Sequence, residues 1–279
     1  MPSAIGDKPP AFDRVAFDYD HQFTDTPLAR ALRRIVWERL AVHIRPGMRI
    51  LDIGCGTGED AVWLARRGAY VIATDVSSAM LDVTRQKAQQ AGLAEMIETF
   101  VLDAASPPSR IEPLRLGRGV QGVRIDGAFS NFGALNCVSD LSLIACALAE
   151  WVRPGGVLIL VFMSRWCAWE IAWHTLHFQP RAALRRLRRN GVDARVGGST
   201  IQVWYPSIGR IGAAFRDGFR LTRVAGLGAF LPPSYLEPVI SGQPWLFRLL
   251  SRLERVTASR FPFTHLAHHV ILELERVSR

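Results

Sequence analysis

The chain has 279 residues, of which 49% are hydrophobic and 21% are charged. This composition supports a sizeable core and excludes a disordered, collagen-like or coiled-coil protein. The longest apolar run, residues 156–163, has the length of a buried strand and is too short for a transmembrane helix. Because the N-terminus has no apolar signal region and the four cysteines form no CxxC pair, we predict a cytoplasmic protein with reduced thiols.

The net charge of +9 is concentrated in the C-terminal half of the chain. Residues 1–150 contain 16 basic and 18 acidic groups, whereas residues 151–279 contain 18 basic and 7 acidic groups. Codon bias explains why 32 of the 34 basic residues are Arg, but it does not explain why acidic residues are scarce in one half. The asymmetry indicates either a solvated basic surface or contact with an anionic surface or substrate.

The apolar spacing predicts a lead-in helix over 28–44, followed by short apolar strands that alternate with helices. The strands are predicted at 49–53, 70–74, 97–102, 125–130 and 157–163, and the helices at 59–67, 77–91 and 141–152. Such alternation is typical of parallel strands joined by crossover helices. It predicts a doubly wound α/β sheet covered on both faces.

After residue 163 the pattern is looser. It predicts Trp-rich and Arg-rich helical stretches, a strand at 200–205, a helix that begins near 207, a strand at 219–224, a helix at 245–257 and a final strand at 268–275. We expect residues 1–46 to form an N-terminal helical lead-in and residues 47–163 a cofactor-binding core. Residues 164–279 would complete the same domain with helical lid insertions at about 164–205 and 225–264.

Residues 50–60 read ILDIGCGTGED, a strand followed by a glycine-rich turn and a helix. Gly54, Gly56 and Gly58 allow the backbone to turn sharply and to approach a ligand, and the helix N-terminus offers free N–H groups. Asp75, at the end of the second strand, can accept hydrogen bonds from ribose hydroxyls. The G-x-G-x-G spacing differs from the dinucleotide fingerprint, and the two acidic residues that follow would repel a pyrophosphate but tolerate a cationic ligand.

This turn resembles the first motif of class I S-adenosylmethionine-dependent methyltransferases, and further motifs follow at the family's spacing. They read VIATDVSSAML (71–81), VLDA (101–104), IDGAFSNFGALNCV (125–138) and RPGGVLILV (153–161). The resemblance covers residues 47–163 and includes a distant similarity to quinone C-methyltransferases. It implies S-adenosylmethionine as the cofactor and a Rossmann-like sheet of seven strands, the last of them antiparallel.

The resemblance also assigns cofactor contacts by position. The turn and Asp52 would hold the methionine end, Asp75 the ribose, and Asp103 the adenine amino group. The full predicted set is Tyr19, Asp52, Gly54, Cys55, Gly56, Gly58, Asp75, Val76, Met80, Asp103, Ala104, Ser130 and Asn131. Tyr19 and Met80 have an alternative role as packing residues, and Asp52 has one as a cap of the turn.

The methyl acceptor is predicted from residues outside these motifs. The Asn/Asp-Pro-Pro-aromatic tetrad of nucleic-acid amino-methyltransferases is absent, which argues against a nucleic-acid acceptor despite the basic half. Residues 165–178 bring several aromatic and titratable side chains together on a helix. We expect substrate contacts from Asn136, Trp166, Trp169, Glu170 and Trp173, and we consider His174, His177 and His21 as general bases. The tryptophans have the alternative role of fixing the insertion to the sheet, and a lone histidine is more often structural.

These observations predict a methyltransferase that acts on O, N or C of a hydrophobic or aromatic small molecule, without a metal. One alternative is a quinone or lipid methyltransferase that contacts an anionic membrane through the Arg-rich residues 180–189. A second alternative is a catalytically inactive cofactor-binding regulatory protein. RNA binding through the arginines is a further option.

Overall fold

The computed structural model describes residues 10–109, 124–237 and 242–278, whose strands form a seven-stranded sheet and a separate hairpin. The strands are β1 (Arg49–Ile53), β2 (Tyr70–Asp75), β3 (Ile97–Val101), β4 (Ile125–Ser130), β5 (Val152–Met163), β6 (Val192–Val196), β7 (Ser199–Val203), β8 (Phe219–Leu227) and β9 (His269–Arg276). The sheet order is β3-β2-β1-β4-β5-β9-β8; the contacts among β1–β5 are parallel, and β9 is antiparallel to both neighbours. The predicted seven-stranded doubly wound sheet with an antiparallel last strand is therefore confirmed.

The helices of the described ranges begin and end within a residue or two of the predicted bounds where one was predicted. They are α1 (Pro27–His43), α2 (Glu59–Arg66), α3 (Ser78–Gln90), α4 (Ser142–Trp151), α5 (Ala168–Leu176), α6 (Pro180–Ala183), α7 (Ile208–Phe215), α8 (Pro244–Thr257) and α9 (Phe263–Leu266). Side-chain caps fix several starts, because the oxygens of Thr26, Ser77 and Ser207 each accept a backbone N–H from the first turn of α1, α3 and α7.

A buried apolar cluster lies on each face of the sheet. Successive residues of β1 point to opposite faces, so Ile50 belongs to the cluster beneath α1 and α2, and Leu51 to the cluster beneath α4 and α7. Val36 of α1 and Leu148 of α4 are fully buried on these two faces. The central strands are consequently buried over most of their length, as in β1 and β2, as expected for a sheet covered on both sides.

The structure differs from the prediction at the start of β5. This strand begins at Val152 rather than at residue 157, because the chain passes directly from α4 into pairing with β4. Ile125 pairs with Val152 and Gly127 with Val157, so a bulge absorbs the intervening residues.

The two C-terminal insertions have different structures. The first contains α5, α6 and the β6–β7 hairpin, of which the sequence pattern predicted only the second strand. The second contains α8, whose Leu246, Phe247 and Leu250 pack against the core. No helix within the described ranges is both long and apolar enough to cross a membrane.

Candidate functional site

A cavity of about 920 Å³ lies where the glycine turn and the carboxyl ends of β2, β3 and β4 meet. Its walls also include the N-terminal segment from residue 10 to residue 12, the short helix Ala134–Cys137 and the β6–β7 hairpin. Ligands of open α/β sheets bind at this edge, because the strand order reverses there and leaves a crevice between adjacent crossovers. The cavity has the size of a small-molecule site.

The glycine turn combines close packing with an open approach to the cavity. A Cβ atom on Gly54 would lie 2.2 Å from Ala134 Cβ, and one on Gly58 would lie 2.6 Å from Thr84 Cγ2. Gly56 has a φ of +54°, and no heavy atom lies within 4 Å of the position that its Cβ would take. The turn therefore packs tightly at its two ends and leaves space for a ligand at its middle residue.

Asp75 connects this turn to the end of β2. Its two carboxylate oxygens accept the N–H groups of Gly56 at 3.0 Å and Ser77 at 2.9 Å. Burial raises the pKa of Asp75, and these backbone hydrogen bonds oppose the rise. The two oxygens offer about four acceptor positions, so the carboxylate can still accept a hydrogen bond from a hydroxyl group of a ligand in the cavity.

Asp52 is a buried carboxylate without a complete set of partners. It lies two residues before the turn, and its Oδ2 has no hydrogen-bond partner among the described residues. Burial raises the pKa of Asp52 well above its usual range, and the nearby carboxylate of Asp60 raises it further. Such an unpaired acceptor is rare in a folded core, and the raised pKa favours the neutral acid at this buried position.

The acidic residue Asp60, which follows the turn, is already neutralised by the protein. Its carboxylate accepts hydrogen bonds from Arg33, from Trp37 Nε1 at 2.7 Å and from Asn131 Nδ2 at 3.0 Å. Asn131 Oδ1 in turn accepts the N–H of Phe132 at 2.9 Å. This network holds the end of β4 against α1 and α2, and it fixes the orientation of Asn131 at the cavity wall.

The structure brings most of the predicted cofactor residues together. Ten of them line the cavity: Tyr19, Gly54, Cys55, Gly56, Asp75, Val76, Met80, Asp103, Ala104 and Asn131. Asp52, Gly58 and Ser130 lie outside its lining, and Ser130 Oγ donates to the carbonyl of Ile53 at 2.9 Å. These three residues shape the turn and the adjacent strands from behind.

The three histidines predicted as bases lie elsewhere. His21 and His177 are exposed and His174 is half-buried, and none of the three lines the cavity. His174 Nδ1 is 2.8 Å from Gln179 Oε1, and His177 Nδ1 is 2.8 Å from the carbonyl of Trp173. The prediction of a histidine base thus gains no support from this placement.

The predicted substrate residues also lie outside the cavity lining, which contains none of Asn136, Trp166, Trp169, Glu170 and Trp173. Trp166 is 43% exposed, whereas Trp169 Nε1 donates to the carbonyl of Ala229 at 3.0 Å and joins the two insertions. Asn136 donates to the carbonyl of Trp204 at 2.6 Å. These contacts hold the elements around the cavity in place.

Glu170 is part of a buried ion-pair cluster and does not contact the cavity. It is almost fully buried and forms ion pairs with Arg185 and Arg186. Arg186 also donates to the carbonyls of Ser164 at 3.0 Å and His268 at 3.1 Å. This charged cluster attaches the Arg-rich segment to the residues that follow β5 and precede β9.

The β6–β7 hairpin forms the roof of the cavity, a role that sequence reasoning missed. Alternate residues on one face, Ala194, Val196, Ile201 and Val203, line the cavity. At the hairpin turn, a Cβ on Gly197 would lie 3.0 Å from Arg14 Cβ, so the turn packs against the N-terminal segment. The pair Gly197-Gly198 between two alternating stretches is a hairpin signal that could have predicted this element.

Further lining residues missed by the sequence pattern include Phe132, Cys137, Met163 and Tyr205. Burial raises the pKa of Cys137 to about 11 and also raises the pKa of Tyr205. Phe132 has a φ of +46°, which is unusual for a bulky residue, and Arg33 Cζ lies 4.9 Å from its ring centroid. The cation and the ring reinforce one wall of the cavity.

These features fit S-adenosylmethionine. The open space at Gly56 admits a ligand close to the backbone, and Asp75, which lines the cavity, supplies acceptors for ribose hydroxyls. No group of three or more metal-binding side chains occurs among the described residues.

Comparisons with known proteins agree with this site. A family model described as a methyltransferase domain matches residues 50–156. A ubiquinone biosynthesis O-methyltransferase from Bartonella tribocorum is 30% identical over 157 residues, which are 54% of this chain and 58% of the relative. A tRNA 5-carboxymethoxyuridine methyltransferase from Escherichia coli strain K12 is 28% identical over 158 residues, 55% of this chain and 56% of the relative.

The chain therefore spans little more than half the length of these curated relatives. Among solved structures, an S-adenosylmethionine-dependent methyltransferase from Thiobacillus denitrificans, in complex with S-adenosyl-L-homocysteine, aligns with a TM-score of 0.52. The alignment covers 98% of this chain and 100% of that chain at 16% identity, a level that shows the fold alone. The sheet order, the glycine turn and the domain match thus agree: residues 50–156 carry a methyltransferase domain, and the fold is that of class I S-adenosylmethionine-dependent methyltransferases.

Proposed function

We propose that the protein transfers a methyl group to a small molecule whose apolar part lies beneath the β6–β7 hairpin. The observation that carries the proposal is the continuity of the cavity, which extends from the glycine turn and Asp75 to Ile201 and Val203 of the hairpin. The turn end is polar and suits the cofactor, whereas the hairpin face is apolar and suits a hydrophobic acceptor.

The cofactor, when bound, supplies an electrophilic methyl group on a sulfonium. The contribution of the protein is then alignment and exclusion of water, since charge is neutralised in the transfer. Holding two reactants in line contributes up to about 7–11 kcal/mol to lowering a barrier. The hairpin and the N-terminal segment close over the cavity and would exclude water.

The site favours an acceptor that arrives already nucleophilic. No histidine lines the cavity among the described residues, and burial raises the pKa values of Tyr19, Cys137 and Tyr205, which keeps these groups protonated at neutral pH. The lining carboxylates lie at the turn and at the ends of β2 and β3, on the cofactor side. A carboxylate, a phenolate or an electron-rich carbon would need no strong base from the protein.

The test is formation of S-adenosyl-L-homocysteine from S-adenosylmethionine with panels of apolar phenols, quinols, carboxylates and tRNA. We expect turnover with an apolar small molecule. Ile201→Ala should raise KM in line with a loss of about 1–2 kcal/mol of apolar contact. Gln202→Ala, which changes the exposed face of the same strand, should leave KM unchanged. Turnover with tRNA alone would refute the small-molecule assignment.

Cofactor binding without turnover on any acceptor would instead favour a regulatory protein. Equal KM values for the Ile201→Ala and Gln202→Ala variants would show that the acceptor does not lie under the hairpin.

A second candidate, methylation of quinones or lipids at an anionic membrane surface, is favoured by α8. Its outer face exposes the apolar side chains of Trp245, Leu249, Leu253 and Val256, with exposures of 38–64%. Arg248, Arg252 and Arg255 border this stripe, so apolar and cationic groups lie side by side, as in helices that bind anionic lipid interfaces. The element differs from the Arg-rich segment 180–189, where Arg185 and Arg186 are engaged by Glu170.

Sedimentation with phosphatidylglycerol vesicles tests this candidate. We expect binding that is lost in Trp245→Ser/Leu249→Ser and kept in Leu143→Ser, which changes an exposed leucine of α4. Equal retention of all three proteins would refute docking through α8.

A further inference from the structure

A second and smaller pocket of about 60 Å³ lies beside the large cavity. Four arginines line it, Arg165, Arg188, Arg189 and Arg210, and we call it the arginine pocket. Val138 and Tyr205 line both the arginine pocket and the large cavity, so the two spaces are adjacent at these residues. A ligand that extends past Tyr205 would contact both.

The four arginines come from three separate elements. Arg165 follows β5, Arg188 and Arg189 end the Arg-rich segment, and Arg210 lies in the first turn of α7. Arg165 donates to the carbonyl of Leu187 at 3.0 Å, which fixes the Arg-rich segment at the pocket.

The arginines of the Arg-rich segment have two different environments. Arg185 and Arg186 pair with the buried Glu170 and anchor the segment. Arg188 and Arg189, two residues further along, line the arginine pocket instead. The anchoring pair thus positions the second pair, which has no partner of its own in the core.

The charges in the arginine pocket are not balanced. Asp140 is the single acidic residue in the lining, so four guanidinium groups and one carboxylate give a formal charge of +3. Within the described ranges, none of the four arginines forms an ion pair with a carboxylate. Arg165 is half-buried, whereas Arg188, Arg189 and Arg210 are exposed, so solvent and salt partly screen these charges. Like charges that converge on a concave space still repel one another and attract an anion.

We propose that the arginine pocket binds a phosphate group of the methyl acceptor, while the apolar part of the same acceptor lies in the large cavity. This inference rests on the proposed function and names the acceptor's class, an apolar molecule with a phosphate or diphosphate group. Guanidinium groups present paired N–H donors that match phosphate oxygens, and several forks can engage one phosphate. The volume of about 60 Å³ is several times the roughly 10–15 Å³ that one water requires, which leaves room for a phosphate group.

The experiment titrates the full chain with inorganic pyrophosphate and, separately, with S-adenosyl-L-homocysteine. The test variant is Arg188→Gln/Arg189→Gln, and the matched control is Arg181→Gln, an exposed arginine of the same segment outside the pocket lining. We expect pyrophosphate binding that weakens at least tenfold in the test variant and stays unchanged in the control. Binding of S-adenosyl-L-homocysteine should be equal in all three proteins.

Two further arms separate the sources of the anion. Acetate at the same concentration should bind far more weakly than pyrophosphate, and phosphatidylglycerol vesicles should not compete with pyrophosphate. Equal pyrophosphate binding by the wild type and the test variant would overturn the proposal, as would a loss confined to vesicle binding. A wild-type protein that binds pyrophosphate but not S-adenosyl-L-homocysteine would refute the proposed function and leave the anion site standing.

Discussion

Gly56 and Gly92 form a natural pair for testing whether the glycine turn contacts the cofactor. Their φ angles are +54° and +69°, and no heavy atom lies within 4 Å of the position that a Cβ would take at either residue. Alanine at either position would therefore adopt a left-handed backbone conformation without a steric clash, and the cost in stability should be similar. Only Gly56 lines the cavity; Gly92 lies two residues after the C-terminal end of α3.

The expected loss of stability is similar for Gly56→Ala and Gly92→Ala. The left-handed conformation costs an L-residue about 1–2 kcal/mol, and the lower entropy of the unfolded alanine chain offsets about 0.4–1 kcal/mol of it. A net loss near 1 kcal/mol lowers the Tm by about 2–4 °C in a protein of this size class.

Binding should separate the two variants. The methyl group of Gly56→Ala would enter the space that we assign to the cofactor, and displacing a ligand by this amount costs about 1–3 kcal/mol, or 5- to 150-fold in Kd. Gly92→Ala should bind S-adenosyl-L-homocysteine as the wild type does. Calorimetric titration of both variants, with thermal unfolding as the control for folding, measures the difference. Equal Kd values for the two variants would refute the close approach of the turn to the cofactor.

Three other changes test separate parts of the structure. Asp75→Asn should weaken S-adenosyl-L-homocysteine binding by about 10- to 150-fold, the value of a charged hydrogen bond, whereas the exposed Asp82→Asn on α3 should not. The rate of Cys137 alkylation by iodoacetamide should rise about tenfold per pH unit up to the pKa of about 11, because the thiolate fraction rises by the same factor. Bound S-adenosyl-L-homocysteine should slow the alkylation, since Cys137 lines the cavity. A rate that levels off near pH 9, the usual pKa of a thiol, would contradict the raised pKa of Cys137, and Cys146 on α4 serves as the unprotected control in the same digest. Glu254→Ala should lower the free energy of unfolding by about 3–5 kcal/mol, since its carboxylate accepts four N–H groups from residues 228–231; Glu150→Ala, exposed on α4, should change it little.

The framework of the fold is predictable because local signals mark each element. Glycine and proline residues separate the strands from the helices, and the capping oxygens of Ser77 and Ser207 fix two of the helix starts. The glycine turn and Asp75 are predictable for the same reason, since their roles depend on their position at the end of a strand. The roles of such residues can be predicted without knowing which distant residues they contact.

The acceptor side of the site is less predictable, because it depends on tertiary packing. Helical spacing groups the tryptophans of α5, yet it does not tell whether that group faces the cavity or the second insertion, which Trp169 contacts. Glu170 has the composition of a site residue, but Arg185 and Arg186 reach it from a later segment. The hairpin that does reach the cavity is composed of ordinary β-formers.

The position of the charges illustrates the same limit. The sequence shows an excess of arginine after residue 150, and it predicts contact with an anionic partner. It does not show that Arg185 and Arg186 pair with Glu170 while Arg188 and Arg189 line a pocket. That separation follows from one turn of short helix, Arg185–Leu187, and from the contact between Arg165 and Leu187.

The most direct test of the central claim is a calorimetric titration of the wild-type protein with S-adenosyl-L-homocysteine, S-adenosylmethionine and NAD. The site described here predicts saturable binding of the first two at one site per chain and no measurable binding of NAD, because the turn lacks the dinucleotide spacing. Preference for NAD, or no binding of either sulfur compound, would contradict the assignment of the cavity to S-adenosylmethionine.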